Sequence, residues 1–341
     1  MEKENPGRQL PDILTLAELS ARCIIPGGMD EFSPLLGRPC LLIDLTGKLP
    51  NTEVTQPLID TLSTLPCPSI GLHLDASCLP PALCAALDVL VADESQLPAL
   101  LRNIQTHPLT AAILVQLLRH NASCSIAEGL FAESLAFAAL QASADFRHYL
   151  SGRVPPTPCV DADPLRIERH GEVLELTLSH GHRRNAYSMT MNDAFYEALL
   201  LAACDPSIQR VVVRGAGDCF SSGGDLSEFG LASDPAQAHL VRMSRSVPHL
   251  LAELAPRMEF QVHRACIGSG MELPAFSGRL VASANTYFQL PEISMGLIPG
   301  AGGSVSITRR IGRQRTAYLA LSGRRIKAET ALAWGLVDAI I

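Results

Sequence analysis

The run GSGMELPAFSGRLVASANTYFQLPEISMGLIPGAGGS, residues 268–304, sets two carboxylates in apolar, glycine-punctuated sequence, and it restricts the chain more than any other stretch. Glu272 stands between Met271 and Leu273, Glu292 between Pro291 and Ile293, and Arg279 is the cation nearest to them in sequence. A carboxylate in an apolar interior pays a large desolvation penalty unless it is paired or put to use. Two of them in such company point to acid/base chemistry, because burial raises a carboxyl pKa toward neutrality, where the group can both donate and accept a proton. The plainer alternative is a pair of solvent-facing glutamates at helix starts or in loops, since Glu is seldom buried.

Composition limits what those carboxylates could serve. With 341 residues, 47% of them hydrophobic, the chain can form two domains and bury a sizeable core. It has no apolar run long enough to span a bilayer and no basic leader followed by an apolar stretch, so a cytoplasmic protein without a membrane partner is expected. The ten cysteines show no C-x-x-C spacing, and each is read as a reduced, buried thiol. A net charge of −7 argues against a nucleic-acid partner. It leaves room for an anionic small molecule, because Arg309, Arg310, Arg313, Arg315, Arg324, Arg325 and Lys327 make the end of the chain locally basic, although such a cluster also suits a solvated helix face. His73, His107, His120 and His148 have neither metal nor triad spacing. Gly215, Ala216 and Gly217 follow a strand, but Phe220 stands where a dinucleotide fingerprint needs its third glycine, so no NAD site is expected. Likewise Ile267 stands where a serine-hydrolase elbow around Ser269 would begin with glycine. No metal or redox cofactor is expected.

Chain punctuation separates two modules. RVPPTPCVDADP, residues 153–164, holds four prolines and no apolar periodicity, so 154–164 reads as an extended linker between modules at 1–153 and 165–341. In the second module EVLELTL (172–178) alternates as a strand does. Ser188 can cap a helix whose apolar face carries Met191, Phe195, Ala198, Leu199 and Ala202. Asp205 and Pro206 end that helix, and Val211, Val212 and Val213 read as a buried strand.

Several separate elements of the second module then fall into a known order. TLSHGHRRNAYS (177–188) carries R-R-N-A-x-S, and VVVRGAGDCFSSGGDL (211–226) carries a strand followed by F-x-x-G-x-D-L. IGSGMEL (267–273) supplies a glycine turn with the first glutamate, LPEISMGLIPGAGG (290–303) the second, and SGRRIKAETALAWGLVD (322–338) a late helix. From about residue 164 to 341 the chain resembles the enoyl-CoA hydratase/isomerase (crotonase) superfamily. That resemblance implies an α/β fold, a crotonase-like spiral of ββα units. It implies that the amides of Gly224 and Ser269 form an oxyanion hole for a thioester enolate, with Glu272 and Glu292 as acid/base groups. Serine replaces the family's usual glycine at 269, which would strain the turn if that position needs a positive φ. Contacts to coenzyme A and substrate are implied at Arg183, Arg184, Ala186, Gly223, Asp225, Leu226 and Gly300, with coenzyme A as part of the substrate. Phe229 and the variable stretch 231–248 are expected among the acyl pocket walls.

Family members retaining both glutamates tend to be hydratases, with Glu272 acting on water and Glu292 exchanging the α-proton. A double-bond isomerase of the same family and a non-catalytic acyl-CoA-binding or scaffold subunit are the alternatives. Family members form homotrimers or pairs of trimers, and the same is expected here.

The first module departs from the family. Crotonase-like chains continue past the equivalent of Asp338 into C-terminal helices, whereas this sequence ends at Ile341. Residues 108–153 resemble that missing tail, through Glu128, Gly129 and Leu130, then Glu133, Ser134 and Leu135, then Ser143, Asp145 and Phe146. Leu130, Leu135, Ala138, Ala139 and Ala142 form a helical stripe expected to dock on the catalytic module of the same chain or a neighbour. An unrelated helical pair would carry a similar stripe. Upstream, residues 67–96 resemble a worn strand, helix, strand core without its glutamate. The N-terminal α/β module is therefore either a degenerate crotonase half or a rearranged segment carrying the tail helices ahead of their core.

Overall fold

We describe residues 12–46, 55–72, 79–153, 163–232 and 234–341 in a computed structural model of the chain. Contacts divide the chain into two compact units, Met1–Gln116 and Leu117–Ile341. The division lies well ahead of the proline-rich stretch, so the boundary expected at 153 falls inside the second unit. Most of that stretch, residues 154–162, lies outside the described residues, as do His73, Cys78 and Cys159.

In the first unit β1 (Ile13–Thr15), β2 (Leu41–Asp44), β3 (Ser69–Leu72) and β4 (Val89–Val91) pair in sequential order, all parallel. Parallel neighbours need crossovers, and α1 (Leu16–Cys23), α2 (Thr55–Thr64) and α3 (Pro81–Ala86) lie in the three connections. α4 (Leu97–Thr106) follows, and α5 (Pro108–Asn121) contributes residues to both units. β2 reads LLID with its first three residues buried, the continuous apolar run of a strand covered on both faces. Buried Asp88 ties β3 to the start of β4, accepting from the N–H and hydroxyl of Ser69 at 2.9 and 3.0 Å. The strand, helix, strand order expected at 67–96 is present as β3, α3 and β4.

The second unit opens with α6 (Ile126–Gln141) and α7 (Ala144–Ser151). β5 (Leu165–His170) and β6 (Val173–Leu178) form its antiparallel entry, followed by α8 (Met189–Cys204) and β7 (Arg210–Gly215). Then come α9 (Pro235–Ser244), α10 (Val247–Leu254), β8 (Met258–Val262), β9 (Ala265–Ile267) and the single turn α11 (Ser269–Glu272). β10 (Arg279–Ala282), β11 (Tyr287–Gln289), α12 (Gly303–Ile311), α13 (Arg313–Ser322), β12 (Ile326–Lys327), α14 (Ala328–Trp334) and β13 (Ala339–Ile340) complete it. One sheet runs β13-β10-β8-β7-β6-β5 and a smaller one β12-β11-β9. Register aligns Leu176, Val213, Phe260 and Leu280 in one buried row across four strands, which fixes the large sheet against its helices. Ser188 caps α8 by accepting from Met191 N–H at 3.2 Å, and Met191, Phe195, Ala198, Leu199 and Ala202 are buried as their spacing predicts.

α6 and α7 pack in the same unit as the catalytic-type core, against α9, α10, α12 and the 292–295 turn. The inward face of α6 differs from the predicted stripe. Leu130 and Ala138 are buried, but Leu135, Ala139 and Ala142 face solvent, while Glu133 and Ser134 turn inward. Their polar groups find partners on the core, so burial there follows hydrogen-bond satisfaction as well as hydrophobicity.

Trp334, the only tryptophan of the chain, lies in this unit and reports its unfolding. Leu130→Ala is expected to lower the stability of the Trp334-monitored urea transition by about 2–5 kcal/mol. Leu135→Ala should change it by no more than about 0.5 kcal/mol. Equal losses would mean that α6 docks through a different face.

Candidate active site

The two glutamates meet because β9 and β11 are parallel neighbours. Ile267 pairs with Gln289, Gly268 N–H donates to Gln289 O at 3.0 Å, and both chains then leave the sheet at the same end. Glu272 follows β9 through α11, and Glu292 follows β11 at the head of a short 3-10 turn. Gly268 makes the exit possible, with φ +51 and ψ −121, a conformation that side chains avoid. A Cβ at Gly268 would lie 2.6 Å from Glu292 Oε1 and 3.9 Å from Glu272 Oε1, so both carboxylates converge on this glycine.

Burial pushes both carboxyl pKa values up. For Glu272 desolvation is the largest cause, reinforced by the negative charges of Glu292 and Glu133 and opposed by two amide donors. For Glu292 desolvation raises it from 4.5 to about 8, opposed by its own N–H and reinforced by Glu133. Their hydrogen bonding differs. Glu272 Oε2 accepts from the N–H groups of Ala301 and Gly303 at 2.8 and 2.9 Å, whereas Glu292 Oε2 is buried without a hydrogen-bond partner among the described residues. The two donors favour the charged form of Glu272 and so oppose part of its rise, which still leaves that carboxyl well above the usual carboxylate range.

The loop after β7 reaches the same point. Ser221 bridges to Cys266, with Ser221 N–H donating to Ala265 O and Ile267 N–H to Ser221 O. A Cβ at Gly223, whose φ is +96, would strike Ile267 O at 2.9 Å, so only glycine permits this approach. Neither the Gly224 nor the Ser269 N–H has a hydrogen-bond partner among the described residues. Ser269 keeps an ordinary φ, because Gly268 takes the positive one, and the strain considered for serine does not arise. Its buried hydroxyl is also without a partner. Phe229 lies against Gly224, 3.1 Å from where a Cβ there would be, and its ring centroid is 6.4 Å from that of Phe146 on α7.

The remaining sequence-predicted binding residues divide. Arg183 forms a two-pronged ion pair with buried Asp225, at 2.9 and 3.2 Å, so these two hold each other. Arg184 is exposed at φ +56, Ala186 is buried, and Leu226 is partly exposed. Gly300 abuts the Phe137 ring of α6, which a Cβ would approach to 2.5 Å. In the basic C-terminal stretch Arg310 is tied internally to the carbonyls of Ala275, Ser277 and Leu336 and to Asp338. Arg309 donates to Cys124 O and Arg325 to Gln289 Oε1.

Sequence reasoning missed two site residues. Asn185, at φ +51, donates from Nδ2 to the carbonyls of Ala216, Cys219 and Phe220 and so anchors the 216–220 loop. Its signal was present, since Asn tolerates the left-handed region. The other is Glu133, which accepts from Gly302 N–H, Ser304 N–H and Ser304 Oγ. The sequence carried no signal for it, because the apolar stripe drawn on α6 turned other residues inward. No group of three or more His, Cys, Asp or Glu that could hold a metal occurs among the described residues, and no described helix is long and apolar enough to cross a membrane.

Residues 168–341 match the family model described as enoyl-CoA hydratase/isomerase. The chain belongs to that family. It is 33% identical over 177 residues to 2,3-dehydroadipyl-CoA hydratase of Escherichia coli, covering 51% of this chain and 68% of that protein. Against mevalonyl-coenzyme A hydratase sidH of Aspergillus fumigatus it is 30% identical over 178 residues, covering 50% and 63%. A solved structure, Pseudomonas aeruginosa AtuE, is 31% identical, with a TM-score of 0.48 and coverage of 52% of this chain and 70% of that one. The chain thus spans about two thirds of the length of these relatives. The family model matches only from residue 168, so α6 and α7 precede the segment it matches although they share its compact unit.

A raised carboxyl pKa means that the folded chain binds the proton more tightly than the unfolded one. The stabilising contribution of Glu292 is therefore complete below 4.5 and lost as pH rises through about 8. Over that interval Glu292→Gln should make the Trp334 unfolding midpoint fall less steeply with pH than in the wild type. Identical slopes would contradict the burial of an ionisable Glu292.

Proposed function

We propose that this enoyl-CoA hydratase/isomerase family member adds water across a 2-enoyl-CoA thioester, or runs the reverse dehydration. The observation that carries this reading is the convergence of two differently bonded buried carboxylates on Gly268. Glu272, its charge supported by two N–H donors, takes a proton from water as the oxygen adds to the β-carbon. Glu292 delivers its proton to the α-carbon. Negative charge gathering on the thioester oxygen is met by the N–H groups of Gly224 and Ser269, which have no competing acceptor among the described residues. Coenzyme A enters as part of the substrate, and the reaction needs no resident cofactor. A scaffold role would give no use for two desolvated carboxylates. A homotrimer or pair of trimers accompanies this reading on family grounds, and light scattering tests it.

Glu272→Gln and Glu292→Gln should each slow hydration at least about 10²-fold, the lower end of what a positioned proton-transfer group contributes, measured by loss of the conjugated-thioester absorbance. Wild-type rates in both variants would refute the hydratase reading. A neutral Glu272→Gln beside a Glu292→Gln that no longer exchanges the α-proton with solvent deuterium would move the assignment to isomerase.

Among the described residues, exposed Arg184 is the cation of the R-R-N-A element that no ion pair holds. Replacement by Asn, which tolerates φ +56, should raise KM by up to roughly fivefold, the worth of an exposed ion contact, and leave kcat unchanged. A fall in kcat alone would place Arg184 outside coenzyme A binding.

A further inference from the structure

Glu133 is a buried carboxylate that the proposed chemistry does not use. It stands on α6, 2% exposed, ahead of the family-matched segment. An ionisable group so placed is expensive unless its oxygens are satisfied, and here they are all directed at one turn. Gly302 N–H donates to Oε1 at 2.6 Å, and the N–H and hydroxyl of Ser304 donate to Oε2 at 2.9 and 2.5 Å. The intervening amides, Ala301 and Gly303, donate to Glu272 Oε2. Successive N–H groups are therefore held alternately from two sides. Each planar peptide ties an N–H to the carbonyl before it and joins the next plane through a single Cα, so fixing the 302 and 304 planes restricts the φ and ψ left to the 301 and 303 planes. Asn121 Nδ2 donates to Ser304 Oγ at 2.8 Å, which braces the turn from α5.

Among the described residues, three charged or titratable groups from packed elements face Glu133. They are Arg242 from α9, Glu272 from α11 and Glu292 from the turn after β11. Arg242 is itself anchored on α6 through Ser134 O and Gln141 Oε1, each at 3.1 Å.

We propose that Glu133 is a positioning residue for Glu272, acting through the 301–304 turn that the two carboxylates share. The proposal rests on the reading of Glu272 as the proton-transfer group. Glu133 touches no reacting atom in this scheme. It sets the direction of the two N–H groups that support the charge on Glu272, and it holds Gly303, where a Cβ would come within 2.6 Å of Glu272 Cγ, behind that side chain.

Glu133→Gln keeps the shape but offers one acceptor oxygen, so it can hold only one side of the clamp. Hydration by this variant should lose about 10- to 100-fold in kcat, per folded molecule by Trp334 fluorescence, with KM within about twofold of wild type. The limb of the pH profile along which Glu272 gives up its proton should move to higher pH, as that carboxylate loses well-aimed donors. Movement to lower pH would mean that Glu133 acts on Glu272 only as a neighbouring negative charge, and would overturn the proposal. Should Glu133→Gln not fold, Ser304→Ala removes one donor to Glu133 and keeps both backbone amides. A loss of about 2- to 5-fold in kcat with the same direction of pH shift supports the clamp, and an unchanged rate and profile overturns it.

Residue-resolved amide hydrogen exchange gives a readout that needs no turnover. In Glu133→Gln the amides of Ala301 and Gly303, whose acceptor Glu272 is intact, should exchange at least about tenfold faster than in wild type. If the wild type hydrates no enoyl-CoA, the proposed activity fails while faster exchange still supports the clamp. Unchanged exchange at those two amides overturns the clamp whatever the activity.

Discussion

Backbone N–H groups at a helix start have no partner inside the helix, and in this chain those at 301–304, leading into α12, are claimed alternately by Glu272 and Glu133. Both carboxylates also gain from the positive end of the helix dipole, which offsets part of their desolvation. The turn must be built from residues that let the backbone come this close. Gly302 has φ +93 with Phe276 and Leu130 packed against it, and Gly303 has no room for a Cβ beside Glu272. α6 must therefore sit where it does. Its Glu133 supplies one half of the hydrogen bonds on which the order of the turn depends, and Leu130 supplies apolar contact at the same place.

Around that turn the sheet does the gathering. Parallel pairing of β9 with β11 brings two chain segments out at one end, so residues twenty positions apart in sequence share a few ångströms of space. The Ser221 to Cys266 bridge brings the glycine loop after β7 to the same end. The result is a set of opposites held close together. Glu272 has the amides of two distant residues as donors and Glu292 only its own N–H, and among the described residues the amides of Gly224 and Ser269 have no acceptor. Hydrogen bonding therefore distinguishes two groups that burial alone would treat alike.

Chain order and spatial order part company in this protein. The helices that complete the catalytic unit come before the core they cover, and the boundary between compact units runs through α5 rather than through the proline-rich stretch. Proline content marks where a chain is stiff and extended. It does not mark which elements bury each other. The stripe drawn on α6 illustrates the same limit. Counting apolar residues turned Leu135, Ala139 and Ala142 inward, yet the core there presents backbone donors and an arginine, and the face that satisfies them carries Glu133 and Ser134. Arg183 and Asp225 were each expected from the resemblance to contact coenzyme A or substrate, but only proximity could reveal that they pair with each other.

The sequence by itself determined the α/β class, the β6, α8 and β7 unit with its buried face and Ser188 cap, and the special standing of Glu272 and Glu292. Those features rest on local causes: period, capping chemistry, glycine dihedrals and the cost of a carboxylate among apolar neighbours. Gly268 absorbs the positive φ, so the fate of Ser269 was also decided locally, though one residue away from where the strain was considered. Tertiary structure alone decided that Glu133 lies beside Glu272 and that Asn185 anchors the neighbouring loop, and of the two placements expected for α6 and α7 it shows the one within their own chain. The hydrogen bonds of Asn185 and Glu133 reach partners between 31 and 171 positions away along the chain, and no local pattern records which distant group a buried polar side chain will meet.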